Sequence, residues 1–212
     1  VIREILCKYQ LSRIHIVDYF YPSTDEEIDK NQYSYYLASG GRLPLNEWRR
    51  ENVNVLVSSV YSFVKAHNEN MIFSISPSAD IEKCKNVFFC DVEKWCREEG
   101  FVDWLIPQIY YGFENETMPF EKTVNEWLNL EKNENVELYF GLAPYKCGLT
   151  DENAGSGKNE WKENSDILSR QYDYLKLSDA FAGVSLYSYS YCFGGNINEN
   201  IISENEKLLK KF

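Results

Sequence analysis

The sequence predicts an α/β fold built on a parallel sheet with helical crossovers. Three observations carry this reading. Strand-like and helix-like segments alternate along the whole chain. The strand segments are apolar on both faces, as a sheet covered on both sides requires. The segments between them place apolar residues at helical spacing. Two architectures satisfy the pattern: an open doubly wound sheet, or part of an eight-stranded barrel. No Gly-rich phosphate loop follows any strand, which counts against a nucleotide-binding doubly wound sheet.

Ile2, Ile5, Leu6 and Tyr9 share one helical face. Ile14 to Asp18 is the first strand, and the polar stretch 23–43, rich in Asp, Asn, Ser and Gly, reads as a loop. Val53, Leu56, Val57, Val60 and Val64 predict a long helix. "MIFSIS" (71–76) is the second strand, stopped by Pro77, and Val92, Trp95 and Cys96 mark a short helix ended by Gly100. "VDWLIPQIYY" (102–111) is the third strand, although Pro107 inside it cannot donate to a ladder. Phe120, Val124, Trp127 and Leu128 form a helical stripe before the fourth strand, "ELYFGLAPY" (137–145). Ile167, Leu168, Tyr172 and Leu175 precede the fifth, "FAGVSLYSYSY" (181–191). Ile201, Asn205, Leu208 and Phe212 close the chain as a mostly apolar helical face.

Composition narrows the function. The chain has 212 residues, 44% hydrophobic and 26% charged, which suits one globular domain over 1–212. Its net charge of -11 counts against a nucleic-acid partner, since such proteins present a basic stripe to phosphate, and fits a neutral or weakly charged substrate. No run approaches the roughly 20 apolar residues of a membrane span. Much of the aromatic content, 16 Tyr, 12 Phe and 5 Trp, belongs to the core, but sugar-binding clefts also use aromatic faces, which stack on apolar sugar C–H faces. The six cysteines form no C-x-x-C and only two His are present, so neither a metal site nor a cofactor is expected. Helix-like sequence begins at once from Val1, so the natural start is expected to lie upstream.

Sites in such folds form at the carboxyl ends of strands. Those ends read Asp18-Tyr19-Phe20-Tyr21, Ser76-Pro77-Ser78, Gln108-Ile109-Tyr110-Tyr111, Pro144-Tyr145-Lys146 and Tyr187-Ser188-Tyr189. A carboxylate, an amide, an amine and several phenols suit a polyhydroxylated ligand, and suit neither hydride nor phosphoryl transfer.

"IHIVDYFYP", "WRRENVN" (48–54), "SISP" (74–77) and "PQIYY" (107–111) occur in this order, followed by "GLAPYKCG" (141–148) and a helix carrying Gln171. Together they resemble the glycosyl-hydrolase-like 10 family. The resemblance implies a TIM-type (β/α)8 barrel of which this chain is the last five βα units, the carboxyl-terminal portion, with strands four to eight present. It implies hydrolysis of glycosidic bonds in a polysaccharide or oligosaccharide, an N-acetylated cell-wall glycan among the substrates, in the cell envelope or outside the cell. The rival is a carbohydrate-binding barrel without catalysis. In the family pattern a Gly precedes Ile-His and two adjacent acids precede Tyr-Phe-Tyr-Pro. Here Arg13 and Val17 stand in two of those places, which leaves Asp18 as the catalytic candidate. Tyr19, Tyr21, Arg49, Gln108, Tyr110, Tyr145, Tyr187 and Tyr189 are the substrate-binding candidates. His15 reads as a hydrogen-bonded core histidine, Asp103 as structural, and Glu114 and Glu116 as solvated loop charge.

Overall fold

A computed structural model describes residues 1–17, 19–194 and 198–212. It is a mixed α/β fold with a five-stranded sheet in which strand order follows chain order, without reversal. The chain divides into two compact units, 1–105 with 131–136, and 106–130 with 137–212.

The first unit runs α1 (Ile2–Lys8), β1 (Arg13–Val17), α2 (Lys30–Ala38), α3 (Leu45–His67), β2 (Ile72–Ser76), α4 (Ile81–Asn86), α5 (Val92–Arg97) and β3 (Trp104–Leu105). β1 pairs parallel with β2, with Ile14 opposite Phe73 and Ile16 opposite Ile75. β2 pairs parallel with β3, Ile75 opposite Leu105. Val53, Val57 and Val64 recur at helical spacing and are all buried, as are Phe73, Ile75, Trp95 and Leu105. The short helices α4 and α5 start on Asp80 and Asp91, whose carboxylates accept from Lys83 N (2.8 Å) and Lys94 N (3.2 Å).

α2 falls inside the stretch expected to be a loop. No residue of it is buried, so it carries no apolar stripe for a periodicity reading to catch. Aromatic side chains hold it instead. Tyr33 and Tyr36 pack on Trp48, at 5.3 and 5.8 Å between ring centroids. The Tyr36 hydroxyl accepts from Arg42 N and Leu43 N, and the Tyr33 hydroxyl donates to Leu43 O.

The second unit runs α6 (Phe120–Leu128), β4 (Glu137–Leu142), α7 (Glu160–Glu163), α8 (Ile167–Leu175), β5 (Phe181–Leu186), α9 (Tyr189–Phe193) and α10 (Glu199–Leu209). β4 and β5 pair parallel, with a register shift between Leu138 and Tyr139. Phe120, Trp127, Phe140, Leu142, Trp161, Leu168 and Leu175 fill its core. The buried Glu204 of α10 accepts from Ile167 N (2.7 Å) and Leu168 N (3.0 Å), at the amino end of α8. Burial pushes its carboxyl up to about 7 against the pull of those two donors.

The expected third, fourth and fifth strands are all shorter than read; the fourth ends at Leu142, before a 3-10 turn at Pro144–Lys146. The third covers only Trp104–Leu105; Pro107 ends the ladder, and Gln108 makes a single parallel bridge to Gly141. The fifth stops at Leu186, and its Tyr- and Ser-rich tail turns into α9. β2 is almost wholly buried, whereas β1 leaves alternate residues exposed and β5 exposes Ala182 and Ser185. All six cysteines are free thiols.

Candidate functional site

In the second unit, three of the expected binding residues converge. Tyr110 stacks on Tyr187 at 5.9 Å with planes 28° apart, and meets Tyr145 edge-on at 5.9 Å. Tyr145 in turn meets Tyr187 at 6.2 Å and Tyr191 at 5.8 Å. The rings arrive from the segments after β3, β4 and β5, so strand direction alone delivers them to one end. Gly141 makes the approach feasible. A Cβ there would lie 3.1 Å from Pro107 O and 3.3 Å from the Tyr110 ring, and Gly141 N donates to Pro107 O at 2.9 Å. Gln108 is buried on the same stretch as half-buried Tyr110. Tyr189 points elsewhere: it is 77% exposed and packs on Phe193. Beside Tyr145 a cavity of about 420 Å³ is lined by Lys146, Leu149, Asp151 and Asn153. The Lys146 ammonium lies 2.6 Å from the Asp151 carboxylate there.

The first unit gathers Tyr19, Tyr21 and Arg49. Asp18, the catalytic candidate, lies outside the described residues. Tyr19, next in the chain, stacks on Phe88 at 4.6 Å with planes 14° apart and remains 43% exposed. Tyr21 meets Phe89 edge-on at 5.0 Å. Burial pushes the Tyr21 hydroxyl's pKa up, and a bond to Asn52 partly opposes it. Arg49 reaches no solvent. Its Nε and Nη2 donate to the two Asp29 oxygens at 2.8 and 2.6 Å, and Nη1 and Nη2 to Thr24 O and Asp25 O. With its donors so engaged, Arg49 holds the Tyr21–Asp29 loop in place rather than offering a hand to a ligand.

Phe20 and Phe89 have φ of 63° and 55°, the two positive values at non-glycine residues among those described. Left-handed backbone costs such residues about 1–2 kcal/mol, and such conformations gather at functional sites. Phe89 is wholly buried and Phe20 meets Trp95 edge-on at 5.7 Å.

His15 Nδ1 lies 2.9 Å from Ser74 Oγ, and loss of solvent on burial, together with the Arg13 charge, lowers its pKa. Asp103 accepts from Phe73 N and pairs with Lys65, both at 2.7 Å. Glu116 accepts from Ser156 N and braces that turn. Phe88, Lys83 and Asp29 escaped the sequence reading. They sit in loops or on a short helix, and only the aromatic pair in "NVFFC" (86–90) could have marked the place. Among the described residues, no group of three His, Cys, Asp or Glu could hold a metal ion, and no helix is long and apolar enough to cross a membrane.

Parallel βα units with aromatic and polar strand ends define a class, and sequence comparison agrees. The family model of glycosyl hydrolase-like 10 matches residues 1–156, and the chain belongs to that family. It is similar to the glycosyl hydrolase YngK of Bacillus subtilis (strain 168), 30% identical over 199 residues that cover 85% of this chain and 38% of the relative. It is also similar to the glycosyl hydrolase DigH of Escherichia coli (strain K12), 22% identical over 207 residues, 90% of this chain and 46% of the relative. The chain thus spans less than half the length of these relatives.

Proposed function

We propose that this chain is the carboxyl-terminal part of a (β/α)8 barrel that hydrolyses glycosidic bonds in a polysaccharide. An N-acetylated cell-wall glycan is the preferred substrate, met in the cell envelope or outside the cell. The observation that carries the reading is the Tyr110–Tyr145–Tyr187 cluster at strand ends in a chain of this family. Aromatic faces accept the C–H faces of sugars, and hydroxyl-bearing rims hold the polar edges. Asp18 supplies one of the two carboxyl groups that glycoside hydrolysis ordinarily uses, as the acid or as a stabiliser of positive charge. Tyr19, Tyr110, Tyr145 and Tyr187 contact sugar rings, Gln108 bonds hydroxyls, and Tyr189 offers an outlying ring. Tyr21 and Arg49 hold the loop that follows Asp18.

The test is Asp18→Asn in the full-length protein, with turnover of purified cell-wall glycan as the readout. Turnover should fall by ~10²-fold or more, the scale of general acid–base contributions, while glycan affinity changes little. Full turnover in the variant would make Asp18 structural. A second reading, a carbohydrate-binding barrel without catalysis, draws on Val17, an apolar residue 56% exposed where the family pattern has an acid. It predicts wild-type binding with no turnover at all.

A further inference from the structure

In the second unit, the turn after β4 encloses a cavity with an ion pair in its wall. The cavity, about 420 Å³, is lined by Lys146, Leu149, Thr150, Asp151 and Asn153, next to Tyr145. Leu149, Thr150 and Asn153 are exposed and form its rim. Lys146 and Asp151 form its floor: their side chains are 18% and 6% exposed, and Lys146 Nζ lies 2.6 Å from Asp151 Oδ2. A lysine carries three N–H donors and a carboxylate about four acceptor sites. Here Lys146 donates to Asp151 Oδ2, and Asn153 N donates to Asp151 Oδ1 at 3.3 Å. The pair therefore spends only part of the bonding capacity on either side. Its surroundings are fixed. Asp151 N donates to Lys158 O, Ala154 N to Asp151 O and Leu149 N to Lys146 O, at 2.8–3.0 Å. Glu116, from the loop after β3, clamps the far side, its N donating to Ala154 O and its carboxylate accepting from Ser156 N, both at 3.0 Å.

We propose that this cavity is a subsite for one neutral sugar unit, gripped by a pair of adjacent ring hydroxyls. One hydroxyl oxygen accepts from the Lys146 ammonium, and the neighbouring hydroxyl donates to the Asp151 carboxylate. The assignment rests on the hydrolase reading and goes beyond it by naming the groups of the sugar that are read. A charged donor beside a charged acceptor matches a ligand that offers acceptor and donor side by side, and hydrogen bonds to charged groups are the strong ones. An acetamido group points its carbonyl and its N–H in opposite directions and cannot meet both partners. An acidic group would face Asp151 and the exposed Glu152, and a cationic one would face Lys146. A wall already fixed by backbone bonds loses little freedom when the ligand enters. Where a glycan is linked through the fourth carbon and carries an acetamido group on the second, free adjacent hydroxyls exist only on the non-reducing end unit. On such a chain the subsite receives the end. Every unit of a glucan linked the same way carries such a pair.

The experiment uses the full-length protein, with hexamers of glucose and of N-acetylglucosamine, both linked through the fourth carbon, as probes. Titration calorimetry gives Kd, and KM and kcat are measured on whichever hexamer is cleaved. The double variant Lys146→Met with Asp151→Leu removes both charges and leaves neither buried alone, so the fold is kept. It should weaken binding of both hexamers roughly tenfold or more, the scale of a hydrogen bond to a charged group, and raise KM alike with kcat nearly unchanged. Asp151→Asn keeps the shape and an oxygen for Lys146, and should weaken binding about three- to tenfold; it carries the test if the double variant does not fold. Lys146→Arg keeps a donor beside Asp151 and should stay within about threefold of wild type. A purely structural pair would move the thermal midpoint and leave Kd and KM where they were. A loss confined to the N-acetylglucosamine hexamer would overturn the hydroxyl pair in favour of the acetamido group. If Asp18→Asn abolishes turnover while the Lys146 and Asp151 variants leave Kd and KM unchanged, the subsite falls and the hydrolase reading stands. If the wild type binds without cleaving and the variants lose that binding, the hydrolase reading falls and the subsite stands. Binding of neither hexamer by the wild type overturns the subsite, whatever Asp18 shows.

Discussion

Asp29→Ala would leave the Arg49 guanidinium buried without its counter-charge. Four hydrogen bonds leave that guanidinium, and the two shorter-reaching contacts to Asp29, 2.8 and 2.6 Å, disappear. Breaking one partner of a buried pair costs about 3–5 kcal/mol. Two features lower the figure here. The carbonyls of Thr24 and Asp25 still accept, and the Tyr21 and Phe89 rings lie 5.5 and 5.0 Å from the guanidinium carbon. Cation–π contacts of this kind contribute about 0.5–2 kcal/mol, so the expected loss is about 3 kcal/mol. Urea unfolding followed by circular dichroism and by tryptophan fluorescence measures it. The double variant Asp29→Leu with Arg49→Met removes both charges and keeps the volume, and should return to within about 1 kcal/mol of wild type. A loss below about 1 kcal/mol in Asp29→Ala, or a double variant no better than the single one, would show that Arg49 is not desolvated. Its reading as a loop holder would then be wrong.

Burial raises the Glu204 pKa to about 7 in the folded state from an ordinary 4.5, so between those values the folded state binds more protons than the unfolded one. Stability should therefore fall as pH rises through this window, by on the order of 3 kcal/mol in all, and Glu204→Gln should flatten the slope; identical slopes would refute it. Gly112→Ala would put a Cβ 1.9 Å from Glu160 Oε2, a carboxylate pinned by Phe113 N and Glu114 N, and should cost several times the ~1 kcal/mol of Gly40→Ala, which meets only open space at φ +92°. Equal midpoints for the two variants would sink that argument. At pH 8 a thiol reagent should label Cys7 quickly and the other five only on unfolding. They are buried, and burial lifts Cys84 to about 12 and Cys96 to about 11; two or more fast equivalents would contradict this.

Legibility followed range. α3 was readable because Val53, Val57 and Val64 recur with the helical period and bury. α2 was not, because its fixing contacts run to Leu43 and Trp48 through tyrosine hydroxyls and ring faces, which leave no period. Pro107 was visible as an objection to a ten-residue strand, and the structure sided with the objection. Tyr110, Tyr145 and Tyr187 were legible as neighbours because a parallel sheet sends every strand end the same way. Tyr189 was not separable from them, since the strand was read through to Tyr191 and the turn into α9 changes where that ring goes. Arg49 was picked out as a charge near the site. Its partner Asp29, twenty positions away, is a matter of loop path that no local pattern encodes.

Among the described residues, the segment from Ser23 to Pro44 fastens to itself, to the start of α3 and, through Asp29, to Tyr21. Asp29 grips Arg49, Tyr33 and Tyr36 lean on Trp48, and the return strand of the loop hangs from two tyrosine hydroxyls. Such a segment behaves as a cassette: it can be shortened, lengthened or exchanged at modest entropic cost, provided the Asp29–Arg49 latch and the Trp48 seat are kept. Loop grafting between Asp25 and Leu43 is thus the natural way to vary the surface after β1 while leaving the strands themselves untouched.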